Sequence, residues 1–446
     1  MKRLSPTVRH VCVFLLIMAL SAVAAAAQDT DSTSAMNMNM AGMENPLGFP
    51  SSGTSVEPES TKDSTPMMHW AMGKWNVMFH ANVFLENIQQ TGPRGGDKLF
   101  SANWFMPMIA RKSGRHTVAF RTMLSFEPAT VTDRRFPQLF QSGETAFGLP
   151  IVDGQHPHNF VMELSGRYEF NLNLNTQLFL YGGPLAEPAL GPPAFPHRAS
   201  SSENPLAMLG HHEQDSTHIS YNVITAGLVA GRMQLEASTF HGQEPNENRW
   251  AIGTGRPDSF ATRLTIAPWN WVGQFSIGRI NHREALEPGL NTLRTTASIH
   301  HHIVLKSGSL ATSLIWGRNK DVVNTERRIF NSYGVESTLN FKTRNWAWGR
   351  IENVDRDRTL LFGETPAALA IEETPIGRVQ AYNLGYERDI LRKSPWWNVG
   401  VGFQYSVYGL TPEMKTVYGN RPQSFVMFVR LRPVGNVSEH MRLMHR

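Results

Sequence analysis

Cysteine is almost absent from the sequence, and its scarcity excludes several kinds of site. Cys12 is the single cysteine among the 446 residues. It lies in an apolar stretch that follows a positively charged start and precedes a run of small residues ending at Ala27, which is typical of a cleavable export signal over residues 1–27. We therefore expect the exported chain to have no disulfide, no cysteine metal site and no cysteine nucleophile.

Net charge and long apolar runs are scarce as well. The chain has 42 basic and 37 acidic residues, and subtracting the three basic residues of the signal (Lys2, Arg3 and Arg9) from 42 leaves 39 against 37. No basic patch interleaved with aromatic residues is present, so we expect no nucleic-acid partner. After the signal, no run approaches the roughly 18 apolar residues of a helical membrane span, which excludes such spans.

A regular alternation of apolar and polar residues begins at Trp75 and recurs as far as residue 432. Every odd-numbered position over residues 75–85 is apolar, and most even-numbered positions are polar. A period of two indicates a strand with one apolar and one polar face. In a later strand, Tyr221, Val223 and Val229 form the apolar face, which we expect to point outward.

The lengths of the connections between these strands also alternate, and they predict the architecture. Short turns on one side and long loops on the other are typical of outer-membrane barrels. The sequence therefore predicts an all-β fold, a transmembrane up-and-down antiparallel β-barrel of about 16 strands over residues 75–432, with short periplasmic turns and long extracellular loops. The alternative is a soluble all-β barrel or sandwich. Predicted short turns are 112–114, 173–175, 230–232, 268–270, 306–308, 342–344 and 391–394; predicted long loops are 87–98, 127–158, 183–217, 242–257, 281–292, 319–330, 356–376 and 411–423.

Residues outside the predicted barrel differ in composition from those within it. Residues 28–74 are rich in Ser, Thr, Asn and Met without periodicity, and we expect them to form a disordered periplasmic segment. Residues 433–446 are expected to form a short periplasmic tail. Tryptophans next to the short turns are expected to form an aromatic girdle at the membrane surface: Trp269, Trp271, Trp346, Trp348, Trp396 and Trp397.

Two histidine-rich motifs end long loops just before a strand begins. One runs from Asp153 to His158 and the other from Gly210 to His218. The strands that follow are separated by a single strand, so the motifs are expected to meet at the extracellular mouth. Imidazole and carboxylate ligands suit Zn(II), Cu(II) or Ni(II). The alternative is a hydrogen-bonded network that locks the loops together. The candidate ligands are His156, His158, His211, His212, His218, Asp153, Glu213 and Asp215.

Methionine is concentrated in the segment that precedes the barrel. Met36, Met38, Met40 and Met43 are closely spaced thioethers, a soft ligand set suited to Cu(I) or Ag(I); low-complexity drift is the alternative. The same segment also contains Met67, Met68, His69 and Met72. His80, His300 and His302 are predicted to face the lumen, where lining a hydrated wall is their expected role.

These features resemble two groups of proteins. The motifs at 155–158, 192–198 and 210–212 resemble an uncharacterised family of Gram-negative outer-membrane β-barrel proteins, a resemblance that implies the fold but no activity. In layout, the signal, the Met-rich leader and the barrel resemble the copper-resistance outer-membrane proteins, the B component of periplasmic copper-handling systems. Their repeated Met-Asp-His pattern is missing here.

The leading hypothesis is an outer-membrane channel or binding protein for small solutes or metal ions, in copper or heavy-metal handling. Copper and zinc are the candidate ions, and outer-membrane lipid is an expected partner. Assembly into a homo-oligomer is compatible with this hypothesis. The alternative is an outer-membrane hydrolase with an Asp/His site at the extracellular rim, for which Asp215 and His218 with His211 and His212 are available. A plugged receptor is disfavoured, because residues 28–74 are too few and too irregular for a folded plug.

Overall fold

The chain folds into a closed ring of antiparallel strands. A computed structural model describes residues 46–287, 289–323, 326–357, 361, 376–391 and 397–434. The strands are β1 (Phe49–Pro50), β2 (Val56–Glu57), β3 (Met68–Met72), β4 (Trp75–Gln90), β5 (Lys98–Ser113), β6 (His116–Leu124), β7 (Phe136–Ala146), β8 (Leu149–Gln155), β9 (Val161–Asn173), β10 (Thr176–Ala186), β11 (Ser220–Ala230), β12 (Met233–His241), β13 (Ser259–Ile266), β14 (Trp271–Ile280), β15 (Asn291–Leu305), β16 (Gly308–Val323), β17 (Glu326–Phe341), β18 (Asn345–Asp357), β19 (Ile376–Asp389), β20 (Trp397–Leu410) and β21 (Gln423–Pro433). Short helical turns cover Glu59–Asp63, Glu127–Thr130, Thr132–Arg134, Phe195–His197, His211–Gln214, Ser216–His218 and Pro412–Tyr418.

Sixteen of these strands, β4–β6 and β9–β21, form the barrel wall. β21 pairs with β4 from Ser424↔Gln90 to Leu431↔Val83 and closes the ring. At the short-turn end β3 pairs with the first residues of β4, so that Met72 lies opposite Trp75. Closure leaves no open sheet edge, which is the condition for strands to cross a lipid bilayer. The predicted fold class is therefore confirmed.

The outer face of the barrel is apolar. Trp269 and Trp271 are exposed at the short-turn end, as expected for an aromatic girdle. Trp346 and Trp348 were expected in the same girdle, but that prediction is wrong. Both lie on the inward face of β18, where Trp346 contacts the Arg432 guanidinium and Trp348 is buried. Exposed apolar side chains of the wall include Leu85, Phe120, Leu164, Leu180, Ile224, Leu235, Phe275, Leu314, Ile351, Leu384, Val401 and Met427.

The inward face carries charged side chains that pair across neighbouring strands. Arg121 of β6 lies 2.9 Å from Glu163 of β9, and Arg263 of β13 lies 2.9 Å from Glu236 of β12. Isolated charges buried at such depth would be very unfavourable, so pairing is what makes these positions tolerable. The lumen wall therefore carries paired Glu and Arg side chains.

The lumen is filled by two segments of the chain. We call residues 46–66 the N-terminal segment and residues 187–219, between β10 and β11, the lumen loop. Arg121 donates to the carbonyls of Ser51 (2.8 Å) and Gly53 (2.7 Å) in the N-terminal segment. In the lumen loop, the carbonyl of Leu206 accepts a bond from Arg350 of β18 (3.0 Å), and that of His212 accepts one from Asn319 of β16 (3.0 Å). Inward-facing side chains thus bind both segments through their backbones.

This packing overturns two expectations about the segment before the barrel. The predicted disorder of residues 28–74 is wrong for residues 46–74, which contain β1–β3 and a helical turn. The expectation that this region is too irregular to form a folded plug is also wrong, because residues 46–66 lie in the lumen and side chains of its wall bind their backbone. Residues 28–45 and the signal lie outside the described residues, as do residues 435–446 of the predicted tail.

Two further details differ from the prediction. Residues 319–330 do not form a long loop, since β16 continues to Val323 and β17 begins at Glu326. In β11, Tyr221, Val223 and Val229 are buried inside, where the latter two pack with apolar residues of the N-terminal segment. A filled lumen accepts apolar side chains that a water-filled one would not.

None of the helices within the described ranges is long and apolar enough to cross a membrane.

Candidate functional site

Five imidazoles from two connections meet inside the upper part of the barrel. We call His156, His158, His211, His212 and His218 the histidine cluster. The helix His211–Gln214 and the turn Ser216–His218 end the lumen loop, whereas His156 and His158 end the connection between β6 and β9. The sequence motifs therefore meet as predicted, but within the filled lumen rather than at an open mouth.

The rings of the cluster form a nearly continuous file. His212 lies 5.3 Å from His211 and 6.2 Å from His156, measured between ring centroids. His211 lies 5.2 Å from His218, which in turn lies 5.6 Å from His158. Successive imidazoles are thus close enough for an ion to be handed from one to the next.

The three predicted carboxylates are separated from each other. Asp215 stays in the cluster, where its Oδ1 lies 2.6 Å from His211 Nδ1. Glu213 instead lies 3.3 Å from Arg356. Asp153 lies away from the cluster, because its carboxylate accepts bonds from Arg94 (2.6 Å) and from the backbone of Phe140 (2.8 Å). Only one of the three carboxylates therefore contacts an imidazole of the cluster.

Two imidazole nitrogens of the cluster have no partner. His212 Nε2 and His218 Nε2 are buried without a hydrogen bond to any described residue. An unpaired buried polar atom is costly, and native proteins rarely keep one without a reason. Neutral imidazole nitrogens are common ligands of transition-metal ions. These two nitrogens are the strongest indication that the cluster binds a ligand.

Burial keeps His211, His212 and His218 of the cluster neutral. It lowers the pKa of His212 to about 4 and that of His218 to about 3, because a charged ring would lose its hydration. Burial also lowers the pKa of His211, although the Asp215 carboxylate opposes that shift. At neutral pH these three rings are therefore unprotonated, which is the form that coordinates metal ions.

Acidification is expected to weaken the packing around the cluster. Unfolded imidazoles bind protons below pH 6.5, whereas His212 stays neutral in the folded chain down to about pH 4. The free energy of unfolding should therefore fall as the pH drops from 7 to 5, by roughly 2 kcal/mol from His212 alone. Thermal unfolding of wild type and His212→Asn at both pH values measures this contribution. An equal loss in both proteins would contradict it.

An acidic cleft lies at the long-loop end of the barrel and reaches the cluster. Its cavity has a volume of about 430 Å³ and is lined in part by His212, which also belongs to the histidine cluster. Seven carboxylates and three guanidinium groups line it, so that its walls favour cations. The carboxylates belong to Glu144, Glu213, Glu284, Glu287, Asp321, Asp355 and Asp357, and the guanidinium groups to Arg283, Arg328 and Arg356.

Other candidate ligands have different surroundings. His300 and His302 face the lumen as predicted, and each ring nitrogen lies 2.8–2.9 Å from a serine hydroxyl. Met36, Met38, Met40 and Met43 lie outside the described residues. Within the described part of the chain, no three His, Asp or Glu side chains are already arranged around a position for one ion. The histidine cluster is thus a file of rings rather than a finished chelate.

Sequence reasoning missed three residues that hold the cluster together. Glu127 lies 2.9 Å from His158 Nδ1 and fixes that ring. Arg198 lies 3.1 Å from Asp215, and Phe195 packs against His158, His211 and His218. Arg198 and Phe195 stand in the motif at 192–198, but no spacing rule connects Glu127 with a histidine 31 residues away.

Comparisons with known proteins add the fold context only. No protein-family model matches the chain, and no curated protein matches its sequence. It is similar to a loop L8 deletion mutant of OmpT, an outer membrane protein of Vibrio cholerae (TM-score 0.47, 7% identity, 80% of this chain and 99% of that chain). Two other similar structures are an anion-selective porin from Comamonas acidovorans (0.48, 10%, 80% and 99%) and Salmonella typhi OmpF in complex with daunomycin (0.48, 8%, 82% and 100%). The fold assignment above rests on the strand pairing and not on these similarities.

Proposed function

We propose that this protein is an outer-membrane barrel that binds transition-metal cations and passes them through a lumen held closed by the lumen loop. The observation that carries the proposal is the pair of unpartnered buried nitrogens, His212 Nε2 and His218 Nε2, within a file of five imidazoles. Zn(II) and Cu(II) are the substrates that suit imidazole ligands.

The acidic cleft supplies the entrance for a cation. Its carboxylates outnumber its guanidinium groups, and such a cleft concentrates cations at its floor. His212 lines that cleft and is also a ring of the file. A cation that loses water in the cleft therefore meets an unprotonated nitrogen next.

The spacing of the rings supports passage of an ion along the file. His212, His211, His218 and His158 succeed one another at 5.2–5.6 Å between centroids. Sites that bind an ion with few ligands release it more readily than a complete chelate, which suits transport. The Met-rich leader, with Met36, Met38, Met40 and Met43, would add soft ligands for Cu(I) on the periplasmic side.

Zn(II) binding by the full-length protein tests the proposal. The double variant His211→Ala/His212→Ala is expected to lose about tenfold or more in affinity, because two adjacent rings of the file are removed. Zn(II) is the probe because the thioethers of the leader bind it poorly. The measurement is competition with a chromophoric chelator, followed by zinc uptake into proteoliposomes.

His301→Ala is the matched control for this experiment. The His301 ring stacks on Trp271 at 3.9 Å, away from the cluster, so its loss should leave zinc binding unchanged. Zinc binding that survives the double substitution in a folded barrel would contradict the proposal.

A hydrolase is the second candidate, and the short contact between His211 and Asp215 favours it. A carboxylate that orients an imidazole is the arrangement of a general base. Both residues are 2% exposed inside the lumen, so a lipid or peptide has no access to them in this conformation. Hydrolysis of either substrate by the purified barrel, lost in Asp215→Asn, would favour this candidate over transport.

A further inference from the structure

Methionine and histidine side chains form a second group of ligands lower in the lumen, near the short turns. Met78 of β4 lies opposite Met108 of β5, and His80 lies opposite Met106 one inward position higher. Met67, next to the start of β3, lines the same space. Side chains directly opposite each other on neighbouring strands have Cβ atoms about 5 Å apart. Strands β4 and β5 and the residue before β3 thus place four thioethers and one imidazole together.

These side chains enclose a small cavity that the N-terminal segment and the lumen loop complete. The cavity has a volume of about 40 Å³, and His197 of the lumen loop lies at its wall. A space of this size accommodates one water molecule or one ion. We call Met67, Met78, Met106, Met108, His80 and His197 the thioether pocket.

The two imidazoles of the pocket differ from the other lumen histidines. Their centroids are 6.1 Å apart, and Trp104 packs against both at 4.7 Å. Neither ring makes a hydrogen bond to a described residue, whereas both nitrogens of His302 are held by serine hydroxyls. The nitrogens of His80 and His197 therefore remain available to a ligand.

Methionine is an unusual choice for this part of the wall. On β15, by contrast, inward positions carry hydroxyl or charged groups, as Thr292, Arg294 and Thr296 do. Simple apolar filling is served by Leu or Phe, which have fewer rotamers than Met and pack more specifically. Four thioethers around one cavity instead favour a role for sulfur as a ligand.

We infer that the thioether pocket binds a single soft monovalent cation, Cu(I) or Ag(I). Thioether sulfur is neutral and polarisable, and together with imidazole it suits these ions better than Zn(II). No carboxylate lines the pocket, and the one guanidinium present, that of Arg121, is paired with Glu163 at 2.9 Å. The inference goes beyond the proposed function, because binding here does not require passage through the histidine cluster.

Silver binding to the full-length protein tests the inference. The leader would also bind silver, so the reference protein carries Leu at Met36, Met38, Met40 and Met43. This reference is expected to bind one Ag(I) per chain, with sulfur in the first coordination shell by X-ray absorption. Adding Met106→Leu and Met108→Leu should lower the affinity about tenfold or more, since Leu keeps the volume but not the sulfur.

Met123→Leu and Met162→Leu are the matched controls. Both methionines are buried in the apolar cluster that contains the four methionines of the thioether pocket, but they do not line the cavity. Neither change should therefore alter silver binding. The inference is overturned if silver binding is unaffected by the Met106 and Met108 substitutions, or if the ion shows only oxygen and nitrogen neighbours. His211→Ala/His212→Ala should leave silver binding intact, which separates a failure of this inference from a failure of the proposed function.

Discussion

Replacement of residues 192–216 by a short Gly-Ser linker is expected to convert a nearly non-conducting barrel into an open pore. Sixteen strands enclose a lumen wide enough for an aqueous channel, and the lumen loop together with the N-terminal segment fills it. Single-channel conductance in planar bilayers should rise about tenfold or more over wild type, because the obstruction and not the wall limits ion flow.

The wall should survive this deletion because its own pairing does not depend on the loop. β10 and β11 remain joined from Thr176↔Ala230 to Ala186↔Ser220. A linker of equal composition in place of residues 245–248, which lie outside the barrel wall and do not line the acidic cleft, is the control and should leave conductance low. If the loop deletion conducts no better than wild type, the lumen loop is not the barrier.

Strand number and closure were predictable from the sequence because they depend on local alternation. Side chains at alternate positions of a barrel strand face lipid, and those between them face the lumen. The sequence shows this alternation directly over β4 and β20. Alternation says nothing about what fills the lumen. β11 shows the consequence: its buried face is apolar, so the pattern alone predicted the wrong orientation.

The N-terminal segment was beyond sequence reasoning for a physical reason. Its backbone groups are satisfied by distant side chains, such as Gln234 Nε2 on the Thr54 carbonyl at 2.9 Å. No local periodicity accompanies such long-range bonds. The histidine motifs were found because five rings stand at loop ends, but Asp153 was assigned to them by proximity in sequence, whereas Arg94 and Tyr418 hold it elsewhere.

Glu336→Gln is expected to destabilise the filled lumen by about 3–5 kcal/mol. The Glu336 carboxylate accepts bonds from Arg198 (2.5 Å) and Arg350 (3.1 Å), and all three side chains are almost fully buried. Removing the charge leaves two buried guanidinium groups with one anionic partner between them, Asp215. Thermal unfolding in detergent measures the loss.

The same substitution should also affect conduction, because Arg198 and Ser200, which both contact Glu336, belong to the lumen loop. Frequent brief openings in planar bilayers are expected from Glu336→Gln, where wild type stays closed. Glu59→Gln is the matched control: Glu59 also pairs with a base, Lys62 at 3.2 Å, but its side chain is 65% exposed, so its loss should cost less than about 1 kcal/mol. Equal stability of Glu336→Gln and Glu59→Gln would mean that the buried ion pairs do not hold the loop, and the barrier would then have to rest on its backbone hydrogen bonds.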